Sequence, residues 1–526
     1  MNAPGSPLWL QALQRPEAYA HPAEDLHCLE THISWVLLAG EHAYKIKKPV
    51  DLGFLDYSTP EKRHFYCQEE LRLNRRLAAP LYLGLSRITG PPEAARMDGD
   101  GEVLEYAVHM RRFPAENQFD HLLTTGRLRN EHLETLAMDL AHFHGHIAAP
   151  APPESDYGRP ERVFGPMRDN FDHLEGVHPY LPALRQWTEA QFQALQPALL
   201  ERRDQGRIRE CHGDLHLGNI VLWEGHPLPF DGIEFSPELR WIDIQSEMAF
   251  LTMDLEERGR PDLAWLTLNT WLSHSGDYPG LPLLRFYQTY RALVRAKVSH
   301  IRLQQGGLSS AEARSQQTAM QRYLELAHRY TRPRPKALII TSGVSGSGKS
   351  HLAKGLAMAI GAIHIRSDVE RKRLRGLEPL QASHGTLYDR RTTEATYRRL
   401  RELAADILQA GFPVIVDATF LRRDQRAPFR ALAQRLDVPF HILHTHAPRQ
   451  VLEQRIRQRM AEGRDPSEAD FTVLRGQLAR QEPWSDQERP HLIDMDTTSS
   501  PTFRSPPPPR LERDDLETLL TTQASP

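Results

Sequence analysis

The segment Gly-Val-Ser-Gly-Ser-Gly-Lys-Ser at positions 343–350 fits the phosphate-binding pattern G-x-x-x-x-G-K-S/T. It lies between an apolar run typical of a buried strand, Ala337–Ile340, and a helix-like segment beginning at His351. Glycines in such a loop let backbone N–H groups point at phosphate oxygens. We therefore expect a triphosphate cradle in which Lys349 adds charge and Ser350 ligates Mg²⁺, formed by Gly343, Ser345, Gly346, Ser347, Gly348, Lys349, Ser350 and His351.

Two carboxylates follow strand-like segments downstream of this loop. Asp368 ends the strand-like segment that begins at Ile363 and could accept the proton of a substrate hydroxyl, because ligands of open parallel sheets bind at the carboxyl ends of strands. Asp417 ends the apolar run that begins at Val414 and stands where a Walker B carboxylate would hold Mg²⁺ through water. Capping of a strand end is the alternative role for either residue.

A group of arginines follows farther along the chain. Arg455 and Arg459 are four residues apart on a predicted helix, so they can share one face and close over phosphates, with Arg464 beyond. A solvated basic face is the alternative. Residues 351–480 contain 23 Lys and Arg against 15 Asp and Glu, an excess that a phosphate-rich ligand would explain.

The first half of the chain contains a different constellation. Asp214 and Asn219 in Cys-His-Gly-Asp-Leu-His-Leu-Gly-Asn are five residues apart, and Asp231 follows twelve residues after Asn219. This spacing matches a kinase catalytic loop followed by a metal-binding aspartate. Asp214 would deprotonate an acceptor hydroxyl, while Asn219 and Asp231 would supply oxygen ligands to Mg²⁺.

Such a site also needs a lysine on an early strand and a glutamate on the next helix. Strand alternation puts Lys45 and Lys47 on one face, and we favour Lys45, with Lys47 the alternative. On the helix-like segment 61–77, Glu70 is the favoured ion-pair partner, with Glu69 the alternative.

These residues carry two resemblances. Over about 30–305 the sequence resembles the aminoglycoside phosphotransferase and choline kinase group, which carries H-G-D-x-x-x-x-N; the resemblance implies a hinge strand at Val108–Phe113 and a loop-supporting carboxylate at Asp243. One departure is that 30–45 contains no G-x-G-x-x-G.

Over about 336–480 the sequence resembles small P-loop kinases of the gluconate kinase, polynucleotide kinase and zeta-toxin kind. That resemblance implies that Lys349 grips ATP, Asp368 activates the hydroxyl, Arg371 contacts substrate and the arginines at 455–464 form a lid. The whole arrangement resembles bacterial bifunctional phosphotransferase and ATP-binding proteins.

The composition limits the alternatives. The chain has 526 residues, a formal charge of −3, three separated cysteines (Cys28, Cys67 and Cys211) and no apolar run of 18 residues. These features argue against a membrane bundle, a dedicated nucleic-acid binder and a disulfide scaffold, and we expect a soluble cytoplasmic protein.

Helical patterns at 285–305 and 310–330, the second opened by a Ser309–Glu312 capping box, end at two prolines near 333. We therefore expect an α+β protein-kinase-like domain at 1–332, an α/β P-loop domain with a parallel sheet at 333–485 and a disordered Pro-rich tail at 486–526. The expected function is ATP- and Mg²⁺-dependent phosphoryl transfer to a hydroxyl of a small molecule at two nucleotide sites. One alternative is an ATP-binding regulator with one non-catalytic domain. The other is a polynucleotide 5′-kinase activity of the P-loop domain, which is the domain for which we consider a nucleic-acid partner.

Overall fold

The computed structural model describes residues 7–498, apart from Phe54, Gly306, 384–386 and Arg464. The chain forms two compact units. The first comprises the chain up to His173 together with Glu189–Asp254, and the second comprises Leu174–Thr188 together with the chain from Leu255 onward. The helices between 261 and 330 therefore group with the second unit, although the sequence analysis placed them in the first domain.

The first unit is built on a six-stranded antiparallel sheet with the order β1-β2-β3-β6-β4-β5. Two short antiparallel pairs, β7 with β10 and β8 with β9, flank the loop that contains Asp214 and Asn219. The strands are β1 (His27–Glu30), β2 (Ser34–Ala39), β3 (His42–Lys47), β4 (Tyr82–Thr89), β5 (Arg96–Met97), β6 (Val103–Arg111), β7 (Ile208–Glu210), β8 (Ile220–Trp223), β9 (His226–Pro229) and β10 (Trp241–Asp243).

Helix α2 packs against strands β4 and β6 of this sheet. It is capped by Thr59, whose hydroxyl accepts the Lys62 N–H, and it has proline at its first position, where no N–H is needed. The helices up to residue 257 are α1 (Leu8–Ala12), α2 (Pro60–Ala78), α3 (Phe119–Thr124), α4 (Asn130–His142), α5 (Pro160–His173), α6 (Leu181–Asp204), α7 (Pro237–Arg240) and α8 (Ile244–Glu257).

Alternation along β3 decides which side chains face the site. Tyr44 and Ile46 lie in one apolar cluster with Trp35, whereas Ala43 lies in a second cluster with residues of α2. The odd-numbered Lys45 and Lys47 both reach α2, as the sequence predicts.

The second unit contains a five-stranded parallel sheet with the order β12-β13-β11-β14-β15. Its central strand β11 is buried along its whole length, as expected for a parallel sheet covered on both faces. The remaining elements are α9 (Pro261–Ser275), α10 (Leu281–Gln304), α11 (Ser310–Tyr330), β11 (Leu338–Ser342), α12 (Lys349–Ile360), β12 (Ile363–Arg366), α13 (Ser367–Arg373), α14 (Arg390–Gln409), β13 (Val414–Asp417), α15 (Arg423–Arg435), β14 (Phe440–His446), α16 (Arg449–Glu462), α17 (Phe471–Ala479) and β15 (Leu492–Asp496).

Two sequence predictions are confirmed here: the fold class is as predicted, and the capping box of Ser309 and Glu312 opens α11. The three cysteines are free. None of the helices in the described ranges is long and apolar enough to cross a membrane.

The start of the predicted tail is wrong. Residues 492–496 form β15, which extends the parallel sheet beside β14, and Thr497 continues this pairing through its N–H to His446 O. The prolines that defined the tail lie after residue 500, so composition placed its start too early. The tail from 499 onward lies outside the described residues.

Candidate active sites

The first site begins with an ion pair between the sheet and α2. Lys45 Nζ lies 2.9 Å from Glu70 Oε1, and it also contacts the Asp231 carboxylate. Glu70 is fully buried, while the Asp231 side chain is 44% exposed. Burial alone would lower the pKa of Lys45, but the charges of Asp231 and Glu70 outweigh it and raise that pKa. Lys45 therefore remains charged beside an accessible carboxylate.

The alternative lysine belongs to the same network. Lys47 Nζ lies 2.7 Å from the other Glu70 oxygen, and it contacts Glu234, which also accepts from the Tyr57 hydroxyl. Burial opposes the charge on Lys47, yet Glu234 and Glu70 raise its pKa. Lys47 is 1% exposed, so it holds Glu70 from the interior, whereas Lys45 lies toward Asp231.

The alternative glutamate has a different environment. Glu69 accepts from both Arg72 Nε and Arg72 Nη2 at 2.9 Å and lies 3.5 Å from Arg240. The structure thus brings Glu70, rather than Glu69, to the lysines.

The catalytic-loop residues form a second pair. Asn219 Nδ2 donates to Asp214 Oδ2 at 3.1 Å and to the Asp214 carbonyl at 3.0 Å. The Asn219 carbonyl accepts the Phe230 N–H at 2.9 Å, which fixes the loop next to the residue before Asp231. Asp214, Asn219 and Asp231 are therefore held by one hydrogen-bonded framework.

Asp231 has an uncommon backbone conformation. Its φ is +61°, a left-handed value that Asp adopts more readily than most residues. Its N–H is held by the Tyr82 hydroxyl at 3.0 Å, and the next N–H, of Gly232, is held by Asn74 Oδ1 at 2.8 Å. These two bonds over-determine the turn that presents the Asp231 carboxylate.

Glu247 is a supporting residue that the sequence analysis missed. Its Oε1 accepts the N–H groups of His212 at 2.6 Å and Gly213 at 2.9 Å, and its Oε2 lies 2.6 Å from His144 Nε2. Burial would raise the pKa of Glu247, but the bond from His144 lowers it to about 2. Glu247 thus supports the loop before Asp214.

The sequence resemblance implies that Asp243 supports the catalytic loop. At the His212 and Gly213 N–H groups the supporting carboxylate is that of Glu247. Asp243 itself forms a buried two-point pair with Arg202, with both N–O distances 2.6 Å. Cys211 lies close to His144 and Glu247. Because both Glu247 oxygens already accept hydrogen bonds, we interpret this buried group as structural.

The oxygen atoms of the first site suit a hard cation. Asn219 uses Nδ2 toward Asp214, which leaves its Oδ1 as the metal-binding atom, and the accessible Asp231 carboxylate adds oxygen ligands. Oxygen donors of this kind are those that Mg²⁺ prefers.

The second site is centred on the loop between β11 and α12. Gly346 has φ +83°, and a Cβ there would lie 2.7 Å from the Leu452 carbonyl, so only glycine fits. Gly343 and Ser347 pack behind the loop against Thr445, with Ser347 Oγ 2.8 Å from Thr445 Oγ1. These contacts with α16 and β14 fix the conformation of the loop.

Lys349 points back across this loop. Its Nζ donates to the Val344 carbonyl at 2.9 Å, and burial lowers its pKa. The negative charge of Asp417 opposes this lowering of the Lys349 pKa. A lysine amino group held within the loop is suited to binding phosphate oxygens.

Asp417 ends β13, as predicted, and lies among positive and polar groups. Its carboxylate is 3.4 Å from His364 Nε2 and 3.6 Å from Arg366 Nε. Burial opposes ionisation, yet the bond from His364 and the charge of Arg366 lower the pKa of Asp417. Asp417 is thus an ionised carboxylate beside the cradle.

Asp368 lies in the first turn of α13 rather than at the end of the strand before it. Its carboxylate accepts from Arg371 Nη1 at 2.6 Å, and the Arg371 guanidinium lies 4.8 Å from the centre of the Tyr388 ring. Arg371 therefore orients Asp368 in the cleft.

The predicted arginines lie on α16. Arg455 donates to the Gly346 carbonyl at 3.3 Å and to Thr497 O at 2.7 Å, and Arg459 donates to the Ala469 carbonyl. Arg464 lies outside the described residues. Ser345 N–H donates to Gln477 Oε1 at 2.7 Å, a contact that no spacing in the sequence indicated.

These groups share one large cleft of about 1600 Å³. Residues from α14 and α15 also line the cleft, and several of them are arginines. The predicted site residues that line it are Ser345, Gly346, Gly348, Lys349, Ser350, His351, Asp368, Arg371, Asp417, Arg455 and Arg459.

Comparisons with known proteins match two separate parts of the chain to two families. Residues 66–231 match the model of the Phosphotransferase enzyme family, and residues 338–484 match that of an AAA domain. Uncharacterized proteins of Mycobacterium tuberculosis and Mycobacterium bovis are 32% identical over 505 residues, which cover 92% of this chain and 95% of theirs. The chain belongs to the family of these mycobacterial proteins.

The match of residues 66–231 to the Phosphotransferase enzyme family gives the chain a phosphotransferase domain, and the prediction of a kinase-type enzyme is confirmed. Among solved structures, a sugar kinase from Janibacter sp. HTCC2649 is 24% identical over 36% of this chain and 94% of that chain, with a TM-score of 0.25. A choline/ethanolamine kinase family protein from Mesorhizobium loti is 12% identical over 61% of this chain and 98% of that chain, with a TM-score of 0.37.

Proposed function

We propose that the chain is an ATP- and Mg²⁺-dependent kinase with two nucleotide sites, of which at least one transfers the γ-phosphoryl group to a hydroxyl of a small molecule. The observation that carries this proposal is the network joining Lys45, Glu70 and Asp231 beside the Asp214–Asn219 pair. These are the parts that a phosphoryl-transfer site of the kinase type needs.

In the first site Asp214 is the group that accepts the acceptor's proton. The acceptor oxygen forms a bond to the γ-phosphorus, the bond from that phosphorus to the β,γ-bridging oxygen breaks, and ADP leaves with the electron pair. The hydroxyl proton passes to Asp214, which Asn219 Nδ2 holds in place at 3.1 Å.

The other residues orient charge around the triphosphate. Lys45 is directed toward the phosphates by Glu70, and Asn219 Oδ1 and the Asp231 carboxylate would hold Mg²⁺. When bound, Mg²⁺ would neutralise charge on the phosphate oxygens.

The second site has residues for the same three tasks, which are triphosphate binding, Mg²⁺ binding and proton acceptance, on a different fold. The 343–350 loop and Lys349 would bind the triphosphate, Ser350 and Asp417 would hold Mg²⁺, and Asp368 would accept the hydroxyl proton. Arg455 and Arg459 on α16 line the same cleft and could neutralise the transferring group.

Incubation of the purified chain with a metabolite extract and ATP labelled at the γ-phosphate tests this proposal. We expect labelled small molecules, with one set lost in Asp214→Asn and another lost in Lys349→Ala. A product pattern that neither substitution alters would contradict it. Nucleotide binding at both sites with turnover at neither would instead indicate the regulator, in which a domain senses ATP.

We place the acceptor of the second site in the part of its cleft that α14 and α15 line, and the charge there favours one further candidate function. The lining residues Arg390, Arg398, Arg401 and Arg422 outnumber the carboxylates of Glu394 and Asp424 on the same elements, so an anionic acceptor such as a nucleic-acid end fits there. Transfer to a 5′-hydroxyl oligonucleotide that weakens steeply with salt would support this candidate. Oligonucleotide transfer that is absent, or unaffected by salt, would exclude it.

A further inference from the structure

The edge of the parallel sheet in the second unit is covered by helix α9. Among the described residues, strand β12 is one of the two edge strands of that sheet, so one side of its backbone has no partner strand. Asn269 of α9 fills that role, because its Nδ2 donates to the Ala362 carbonyl at 2.9 Å and its Oδ1 accepts the His364 N–H at 2.8 Å. One side chain thus reproduces the pair of hydrogen bonds that a neighbouring strand would form.

The same helix also holds α13, which follows β12 directly. Arg373 at the end of α13 donates from Nη2 to the Ser273 carbonyl of α9 at 2.5 Å, and its guanidinium lies 5.9 Å from the centre of the Tyr278 ring. Arg373 also pairs with Glu370. The helix that carries Asp368 is therefore attached to α9 at its far end.

These two attachments flank the proposed chemistry. Between them lie Ser367 and Asp368, and the Nε2 of His364 lies 3.4 Å from Asp417. Asn269 grips the backbone of His364 itself, so a shift of α9 would move the partner of Asp417 as well as the start of α13.

The packing around α9 is tight enough for such a role. Trp265 of α9 stacks edge-on against Phe412 with ring centres 6.1 Å apart, and the Arg334 guanidinium lies 4.6 Å from the Trp265 ring. A Cβ at Gly361 would lie 2.7 Å from Trp265 Nε1. A helix packed this closely cannot slide without disturbing its neighbours.

We infer that Asn269 and Arg373 are positioning residues of the second site, through which α9 fixes β12 and α13 and thereby sets the places of Asp417 and Asp368. This inference rests on the proposed function of the second site. It means that the phosphotransfer machinery of this unit includes a helix that lies before the 333 boundary suggested by the sequence.

The test uses the full chain in an Asp214→Asn background, so that only the second site turns over. Apparent kcat and KM for ATP·Mg²⁺ are measured with a metabolite extract as the source of acceptor. We expect Asn269→Ala and Arg373→Ala to lower kcat at least about tenfold with little change in KM, since small misplacements are costly in catalysis. Arg373→Lys, which retains a donor and a charge, should restore much of the rate. The matched control is Thr270→Ala, because the Thr270 hydroxyl bonds within α9 to the Leu266 carbonyl.

Amide hydrogen exchange of the nucleotide-free chain gives a second readout. Residues 363–373 should exchange faster in Asn269→Ala than in Thr270→Ala. Unchanged exchange, or faster exchange with an unchanged kcat, would overturn the inference while leaving the proposed function intact. Turnover that Lys349→Ala does not reduce would refute the function proposed for the second site, and the inference with it.

Discussion

Lys45 on β3 and Glu70 on α2 form an ion pair of 2.9 Å across 25 residues of sequence, and the Glu70 carboxylate is fully buried. A buried carboxylate needs a permanent positive partner, since desolvation otherwise favours its neutral form. Lys47 supplies that partner from the interior at 2.7 Å. Lys45 can therefore turn toward a bound phosphate while Glu70 stays ionised.

The two lysines should differ when each is replaced. Lys47→Met leaves Glu70 and Glu234 buried with less compensating charge, so we expect it to destabilise the fold by about 3–5 kcal/mol. Lys45→Met should abolish nucleotide binding at the first site with a smaller loss of stability. Thermal unfolding and nucleotide titration of the full chain measure both effects.

A matched control for the lysines is Lys48→Met. Lys48 is 14% exposed and pairs with Glu30, whose side chain is 53% exposed. Because its partner can be solvated, the loss of Lys48 should cost less stability than the loss of Lys47, whose partners are both buried. Equal stability of the Lys47 and Lys48 variants would contradict the interpretation of Lys47.

Asp214→Asn should lower kcat of the first site by about 10²–10⁴-fold with little change in KM for ATP, because Asn cannot accept the hydroxyl proton. Steady-state kinetics in a Lys349→Ala background measure this. Asp204→Asn is the control, since the Asp204 side chain is 76% exposed and contacts Arg203 at 3.8 Å. A variant of Asp214 that retains full kcat would exclude it as the proton acceptor.

Glu247→Ala should disturb the catalytic loop without touching substrate. It removes the acceptor of the His212 and Gly213 N–H groups, and each unpaired buried group costs about 1–3 kcal/mol. We expect lower stability and a lower kcat, with partial recovery in Glu247→Gln, which retains a carbonyl oxygen. If Glu247→Ala lost stability but kept kcat, the loop would not depend on this residue for its catalytic geometry.

His109 predicts a pH effect in the first unit. Its Nε2 lies 2.8 Å from His42 Nδ1, and burial together with His42 lowers the pKa of His109 to about 4. A lowered pKa means that the unfolded chain takes up the proton first, so this contribution to stability is complete above pH about 6.5 and is lost as the pH falls toward 4. Histidine NMR should show a titration midpoint near 4 that disappears in His109→Gln. A midpoint at or above 6.5 would contradict this.

Residue spacing predicted the parts of both sites that are close in sequence. The 343–350 loop, Asp214 with Asn219, and Lys45 with Lys47 were identifiable because backbone geometry fixes how such neighbours are placed. Asp231 could be added because it follows the catalytic loop across one short hairpin.

The supporting residues could not be predicted in this way. Glu247, Glu234 and Asn269 act through contacts with residues that are distant in the sequence. Each is of a type common on protein surfaces, and it is the fold that buries the two glutamates and partly buries Asn269. The strand β15 was missed for a related reason. Its five residues are only partly buried, and the proline-rich segment after it dominated the composition.

The central claim is that the chain has two independent nucleotide sites, and calorimetric titration of the full chain with a non-hydrolysable ATP analogue and Mg²⁺ tests it most directly. We predict two sites per chain, one remaining in Lys45→Met, one remaining in Lys349→Ala, and none in the double variant. A single site in the wild-type chain, or two sites that persist in either variant, would contradict the account.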